Sequence, residues 1–278
     1  MTDPKPDLVQ AASDWWRTEI IDIEPGKIHV RGYAIQDLIG QISFAEMIWL
    51  MTRGDLPSRG QGRLLEAALV ASVDHGPHAP SIAIARMAQT CGIELNNAMA
   101  SAVNVLGDNH GGAGQDCMRL YELVRNELEK GGDLASAADA ALVRWIADHG
   151  KIVAGFGHRF HPVDPRCEPI LAMVDAAAAD GVVSGEYARI GREVEAAIRR
   201  RTGKPIPMNI DGVTAVVFSE LGFAPEMGRG LFILSRSVGI LAHAAEQKTY
   251  GGRNKGPMPK EIPFTYAGPA RRKLDRQY

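Results

Sequence analysis

From Ser43 onward the apolar residues of this chain recur at helical spacing, and only Lys27 to Val30 reads as a strand, a short one. That pattern commits the chain to an all-α fold of packed helices. Ser43-Phe44-Ala45-Glu46 has the form of a capping box, and the helix it opens should stop near Gly54, ahead of Leu56-Pro57. Further helices are expected over 61–73, 81–90, 95–106, 113–130, 134–148, 165–180, 185–201 and 213–221. Turn signals fall at His75-Gly76-Pro77, Gly131-Gly132 and Thr202-Gly203-Lys204-Pro205. The run from Gly251 to Arg272, rich in Gly, Pro and basic residues, reads as an irregular arm over a surface.

The segment 228–248 is nearly continuous helix former and apolar on most faces, the mark of a buried helix. Arg236 sits in its middle. A buried guanidinium needs an anion, supplied either by an internal carboxylate or by a bound one. With 278 residues the chain can bury a sizeable core, as one large domain or two unequal ones. A formal net charge of −2 gives no reason to expect nucleic acid or an anionic membrane as partner. No apolar run reaches membrane-spanning length, and the start shows no secretory signal. Cys91, Cys117 and Cys167 are widely spaced and read as reduced thiols of a cytoplasmic protein.

Four places carry chemistry. Gly155-Phe156-Gly157-His158-Arg159-Phe160-His161-Pro162-Val163-Asp164-Pro165-Arg166 joins a glycine turn, an imidazole and a fixed cation, a set suited to a small acid undergoing proton transfer. Its plain alternative is a turn before a helix, with Asp164 or Pro165 marking the start. Asp211 precedes an apolar helix and reads as its N-cap or as a general acid or base at a pocket mouth. Asp108-Asn109-His110-Gly111-Gly112-Ala113-Gly114 puts an imidazole at a helix N-terminus, where backbone donors favour an oxyanion and the field favours neutral His110. Asp74-His75-Gly76-Pro77-His78 is the fourth. The spacing of His75 with His78 and of His158 with His161 raises a metal site, but prolines put both pairs in turns and no companion motif accompanies them, so no metal is expected.

Taken in order, these motifs resemble the citrate synthase family, including citryl-CoA lyases and the lyase portion of ATP-citrate lyase. Arg31-Gly32-Tyr33, Asp37-Leu38-Ile39 and Gly54-Asp55-Leu56-Pro57 are similar to its N-terminal pattern, and the Gly-x-Gly-His…Asp-Pro-Arg stretch to its signature. Asn209-Ile210-Asp211-Gly212, Arg236-Ser237-x-Gly239…His243…Gln247-Lys248 and Asp74-His75-Gly76-Pro77 look most like the lyase branch. The resemblance implies a large helical domain from residues 1–110 and 213–278, a smaller one from 111–212, and closure of the two around ligand. It implies cleavage of citryl-CoA, or a close 3-hydroxy-3-carboxy acyl-CoA, to acetyl-CoA and oxaloacetate, with coenzyme A thioester as substrate and no permanently bound cofactor.

By the same resemblance, His110 would hydrogen-bond the thioester oxygen and Asp211 exchange the methyl proton. His158 would polarise the keto carbonyl or take the hydroxyl proton, and His75, Arg166 and Arg236 would hold the hydroxyl and carboxylates. The backbone of Gly155, Phe156, Gly157 and His158 would lie against the coenzyme A adenine, with Arg159, Lys248, Arg253 and Lys255 as candidates for its phosphates. A homodimer or dimer of dimers is implied, the C-terminal arm crossing to the partner. One element departs. Where citrate synthases usually carry an Arg-Pro before a Tyr-x-Gly, this chain reads Lys260-Glu261-Ile262-Pro263-Phe264-Thr265-Tyr266-Ala267-Gly268. That loss leans toward lyase, and retained His110 keeps citrate synthase as the alternative. A metal-dependent hydrolase and a non-catalytic acyl-CoA-binding relative are more distant readings.

Overall fold

In the computed structural model, which describes residues 8–158, 161–254, 259 and 261–274, twelve helices and one small sheet form among the described residues. The all-α reading holds. In chain order they are α1 (Leu8–Trp15), β1 (Ile21–Glu24), β2 (Lys27–Val30), β3 (Tyr33–Ala34), α2 (Ile35–Leu38), α3 (Phe44–Arg53) and α4 (Arg59–Ser72). There follow α5 (Pro80–Thr90), α6 (Leu95–Val103), α7 (Ala113–Leu128), α8 (Leu134–His149), α9 (Cys167–Ala179), α10 (Glu186–Thr202), α11 (Ile210–Glu220) and α12 (Pro225–Tyr250).

Local chemistry sets the ends. The Ser43–Glu46 capping box closes in both directions, and α3 stops on Gly54 in the left-handed region at φ 93°. A second box, Ser58 with Gln61, starts α4 at Arg59, ahead of the expected 61. Asp133 caps α8, and α10 ends on left-handed Gly203 with Arg199, Arg200 and Arg201 facing its negative end. The strand at Lys27–Val30 is one of three: β1, β2 and β3 form an antiparallel sheet in that order. β1 escaped the sequence reading because all four of its residues are exposed and show no buried alternation. Helix α1 was likewise unforeseen, and it buries nothing.

Contacts divide the chain into two units. The first comprises the described residues up to His75 with Leu106–Gly239. Its centre is α11, buried from Ile210 and Gly212 through Ser219 save for Asp211, which is only partly covered. Helices α7 and α10 pack on α11 and α8, and α4 packs on α3, α9 and α11. Tyr121, Val124, Ile190 and Val216 are fully enclosed there, each large apolar side chain contributing about 1.5–3 kcal/mol. The first part of α12 joins this core through small residues: Gly228 lies on Met118 and Phe218, and Ser235 Oγ donates to the Leu69 carbonyl at 2.5 Å. The second unit comprises Gly76–Val105 with the described residues from Ile240 on. There α5 packs on α6, Arg86 pairs with Glu246, and Asn254 N–H donates to the Thr90 carbonyl at 2.8 Å. The described arm residues 261–274 form no helix or strand and are exposed. Among the described residues no helix is long and apolar enough to cross a membrane.

The loop at 155–157 is fastened to the segment entering α11. Gly157 N–H donates to the Pro207 carbonyl at 2.7 Å and Asn209 N–H to the Gly155 carbonyl at 2.9 Å, with Phe156 bridging Met208. A Cβ on Gly155 would stand 2.5 Å from Cys117 Sγ and 2.9 Å from Gly212 Cα, and its φ is 86°. Left-handed strain and overpacking together should cost about 2–4 kcal/mol. Gly155→Ala is therefore expected to lower the melting temperature by something on the order of 10 °C, read by circular dichroism.

Candidate functional site

The fastening of the glycine loop delivers two of the candidate side chains. Asn209, not Asp211, is the N-cap of α11: its side-chain oxygen accepts from Asp211 N–H at 2.9 Å and Gly212 N–H at 3.3 Å. Its amide also donates to the Gly157 carbonyl at 2.6 Å. The cap reading of Asp211 is thus corrected, for a stronger cap stands two residues earlier. On the loop side, His161 N–H donates to His158 Nδ1 at 3.0 Å, so neutral His158 carries its proton on Nε2.

Beyond the loop, Asp164 has 2% exposure and grips Arg166 through Nε at 2.9 Å and Nη2 at 2.8 Å. The Arg166 Nη1 group reaches the Ala71 carbonyl at 3.4 Å, at the end of α4 where His75 follows. His75 and His158 have ring centroids 5.5 Å apart. Arg236, with 4% exposure, donates from Nε to the Ser72 carbonyl at 3.2 Å and lies 4.8 Å over the Phe232 ring. Gly239 lets α12 come against Val73 and Asp74, where any Cβ would strike the Val73 carbonyl. His110 precedes α7 in a turn steadied by Arg229, whose Nη2 holds Asp108 at 2.6 Å.

Electrostatics tie these groups together. Burial pulls Arg236 below its ordinary value, opposed by the charges of Asp211 and Asp74. Burial raises Asp211, against the pull of Arg236 and Arg166. His75, His110 and His158 are all held below the usual imidazole range, by burial first. Arg236 and then Arg166 add to this at His75, Arg236 at His110, and His161 at His158. The first unit therefore presents two cations, a carboxyl biased toward its protonated form and three imidazoles biased toward neutrality. Such a set can bind a dicarboxylate and move protons beside it.

Phe156 is buried and also lines a cavity of about 380 Å³ with Leu142, Ile146, Ile152 and Ile198. None of the six ionisable candidates lines it; Phe156, two residues before His158, is the glycine-loop residue in its wall. Lys151 and Arg201 are its cations, and the sequence reading passed over both. Their signal was position: one precedes the glycine loop and the other ends the helix before Thr202-Gly203. Asp164 and Asn209 were also missed as site residues. Of the phosphate candidates, Lys248 pairs with Glu94 at 2.8 Å and Arg253 is exposed, both in the second unit. Arg159 and Lys255 lie outside the described residues. Among the described residues no group of three His, Cys, Asp or Glu side chains is placed to hold a metal.

A family profile described as citrate synthase, C-terminal domain, matches residues 58–256. The citrate synthase of Haloferax volcanii is 29% identical over 204 residues, covering 71% of this chain and 49% of that protein. The solved citryl-CoA lyase from Hydrogenobacter thermophilus superposes with a TM-score of 0.80 at 31% identity, covering 93% of this chain and 97% of the other. ATP citrate lyase from Methanothrix soehngenii, solved with citrate and coenzyme A, gives a TM-score of 0.72 at 19% identity, covering 96% of this chain and 46% of that one, which is a likeness of fold. The chain belongs to the citrate synthase family. It spans about half the length of the curated relatives it matches.

The raised Asp211 carboxyl makes a signed prediction. Ionising it in the folded state costs stability at pH 7, and that cost fades as the pH falls toward the ordinary 3.8. Asp211→Asn is expected to melt above the wild type at pH 7, with the gap closing toward pH 4; thermal melts across that range check it.

Proposed function

We propose that this chain cleaves citryl-CoA, or a close 3-hydroxy-3-carboxy acyl-CoA, to acetyl-CoA and oxaloacetate. The observation that carries the reading is the gathering in one unit of Arg166, Arg236, an Asp211 carboxyl shifted upward by burial and three imidazoles biased toward neutrality. The TM-score of 0.80 at 31% identity with the Hydrogenobacter thermophilus citryl-CoA lyase supports cleavage.

In this reading Arg166 and Arg236 hold the carboxylates of the oxaloacetate part. The hydroxyl gives its proton to His75, while the Nε2–H of neutral His158 donates to the same oxygen as it becomes the keto oxygen. The carbon–carbon bond breaks, and its electron pair passes into the thioester as an enolate, stabilised by a hydrogen bond from neutral His110. Asp211 then gives its proton to the methylene carbon, completing acetyl-CoA. The adenine end of coenzyme A fits the apolar cavity beside Phe156, where Lys151 and Arg201 suit its phosphates.

Citrate synthase is the second reading, favoured by the names of the curated relatives. It uses the same groups and adds hydrolysis of the thioester. With citryl-CoA, the protein is expected to release acetyl-CoA and oxaloacetate; with acetyl-CoA and oxaloacetate, catalytic release of free coenzyme A would support the synthase instead. Asp211→Ala should lower turnover by about 10²–10⁴-fold while oxaloacetate binding changes only slightly, as followed by calorimetry.

A further inference from the structure

We infer that Asp164 is a positioning residue of this site, its buried carboxylate aiming the Arg166 fork at substrate while fixing the chain that carries Asp211. The inference rests on the reading of Arg166 as a carboxylate binder. Asp164 Oδ1 accepts from Arg166 N–H at 3.1 Å and from Arg166 Nε at 2.9 Å. Its Oδ2 accepts from Arg166 Nη2 at 2.8 Å and from Ile210 N–H at 3.0 Å. All four acceptor sites of the carboxylate are used, so Asp164 has nothing left for a ligand and acts through its partners.

The geometry of the guanidinium gives this arrangement a direction. Asp164 takes the edge formed by Nε and Nη2, and the Ala71 carbonyl takes one Nη1 proton at 3.4 Å. One proton on each terminal nitrogen remains, and two such donors suit a carboxylate. The Ile210 contact ties this fork to the residue before Asp211. A single carboxylate thus keeps a cation and a proton donor in register across two segments 46 residues apart. Burial alone would raise Asp164, but the side-chain and backbone hydrogen bonds from Arg166 and the one from Ile210 outweigh it and leave a pKa of about 2. It stays ionised through the working pH range.

Asparagine at this position keeps the shape but turns an NH2 group against two donors. Asp164→Asn is expected to weaken oxaloacetate binding, by calorimetry, about tenfold to a hundredfold, with a parallel rise in KM for citryl-CoA, as misplacement of a binding group does. The pH profile separates positioning from mere support. Asp211 faces Arg236 from α12, Arg166 and Asp164 from the segment entering α9, Cys117 from α7 and Cys167 from α9. Removing the Asp164 charge should move the Asp211 limb to lower pH, whereas Arg166→Gln should move it to higher pH. Asp164→Glu, which keeps the charge but shifts the fork, should raise KM and leave the limb in place.

Oxaloacetate affinity within about twofold of wild type in Asp164→Asn, with an unmoved limb, overturns the inference and leaves the activity standing. Loss of the folded circular-dichroism signal in both the Asn and Glu variants also overturns it, making Asp164 a structural support. If the wild type neither cleaves citryl-CoA nor binds oxaloacetate, the activity reading itself falls and takes this one with it.

Discussion

Two backbones meet at Gly155 and Gly212 with no side chain between them, and that closeness governs everything the loop can do. The Gly155 carbonyl lies against Gly212 itself, and Asn209 closes the join with its own backbone and amide. Any larger residue would push the loop away from α11 by the width of a methyl group. His158 would then move with it, and so would the turn that leads to Asp164 and Arg166. The small residues are therefore the mechanical basis of the site, although they carry no chemistry themselves.

Around that join the protein keeps charges where water cannot reach them. Arg236 and Asp164 are nearly inaccessible and sit within a helical core that would favour apolar residues. Arg166 pairs with Asp164, while Arg236 donates to the Ser72 carbonyl, lies over Phe232 and feels the charges of Asp211 and Asp74. Asp211 is the exception, since its ionised form is disfavoured even with two cations close by. A group held away from its comfortable protonation state is a frequent property of catalytic residues and a burden on the fold. On the proposed reading that burden is what keeps a proton ready for the new methyl carbon.

The cavity beside Phe156 and the acid–base cluster share one loop but face different neighbours. A coenzyme A thioester is a long ligand with an apolar-faced base at one end and a reactive carbonyl at the other. On the proposed reading, the loop that lines the apolar cavity at Phe156 and presents an imidazole two residues later serves both ends of such a molecule. Lys151 and Arg201 add the positive charge a nucleotide end requires.

Much of the fold was legible in the sequence, because helix signals are local. The Ser43–Glu46 box, the Gly54 stop and the strand at Lys27–Val30 all stand where residue type placed them. Five of the six ionisable candidates carried a local mark, four of them beside a glycine and Arg236 inside an apolar helix, whereas Arg166 stood out only by its Asp-Pro-Arg motif. Other features depended on partners distant in the chain. Asn209 displaces Asp211 as the cap because its side chain also finds the Gly157 carbonyl, 52 residues earlier. Asp164 looked like a helix start and became a four-fold acceptor once Ile210 came to it. Lys151, just past α8, and Arg201 line one cavity because α10 packs on α8. Periodicity and capping act over one turn of chain and so are written in the sequence. A carboxylate's role depends on which donors folding brings to it, and that only the tertiary structure decides.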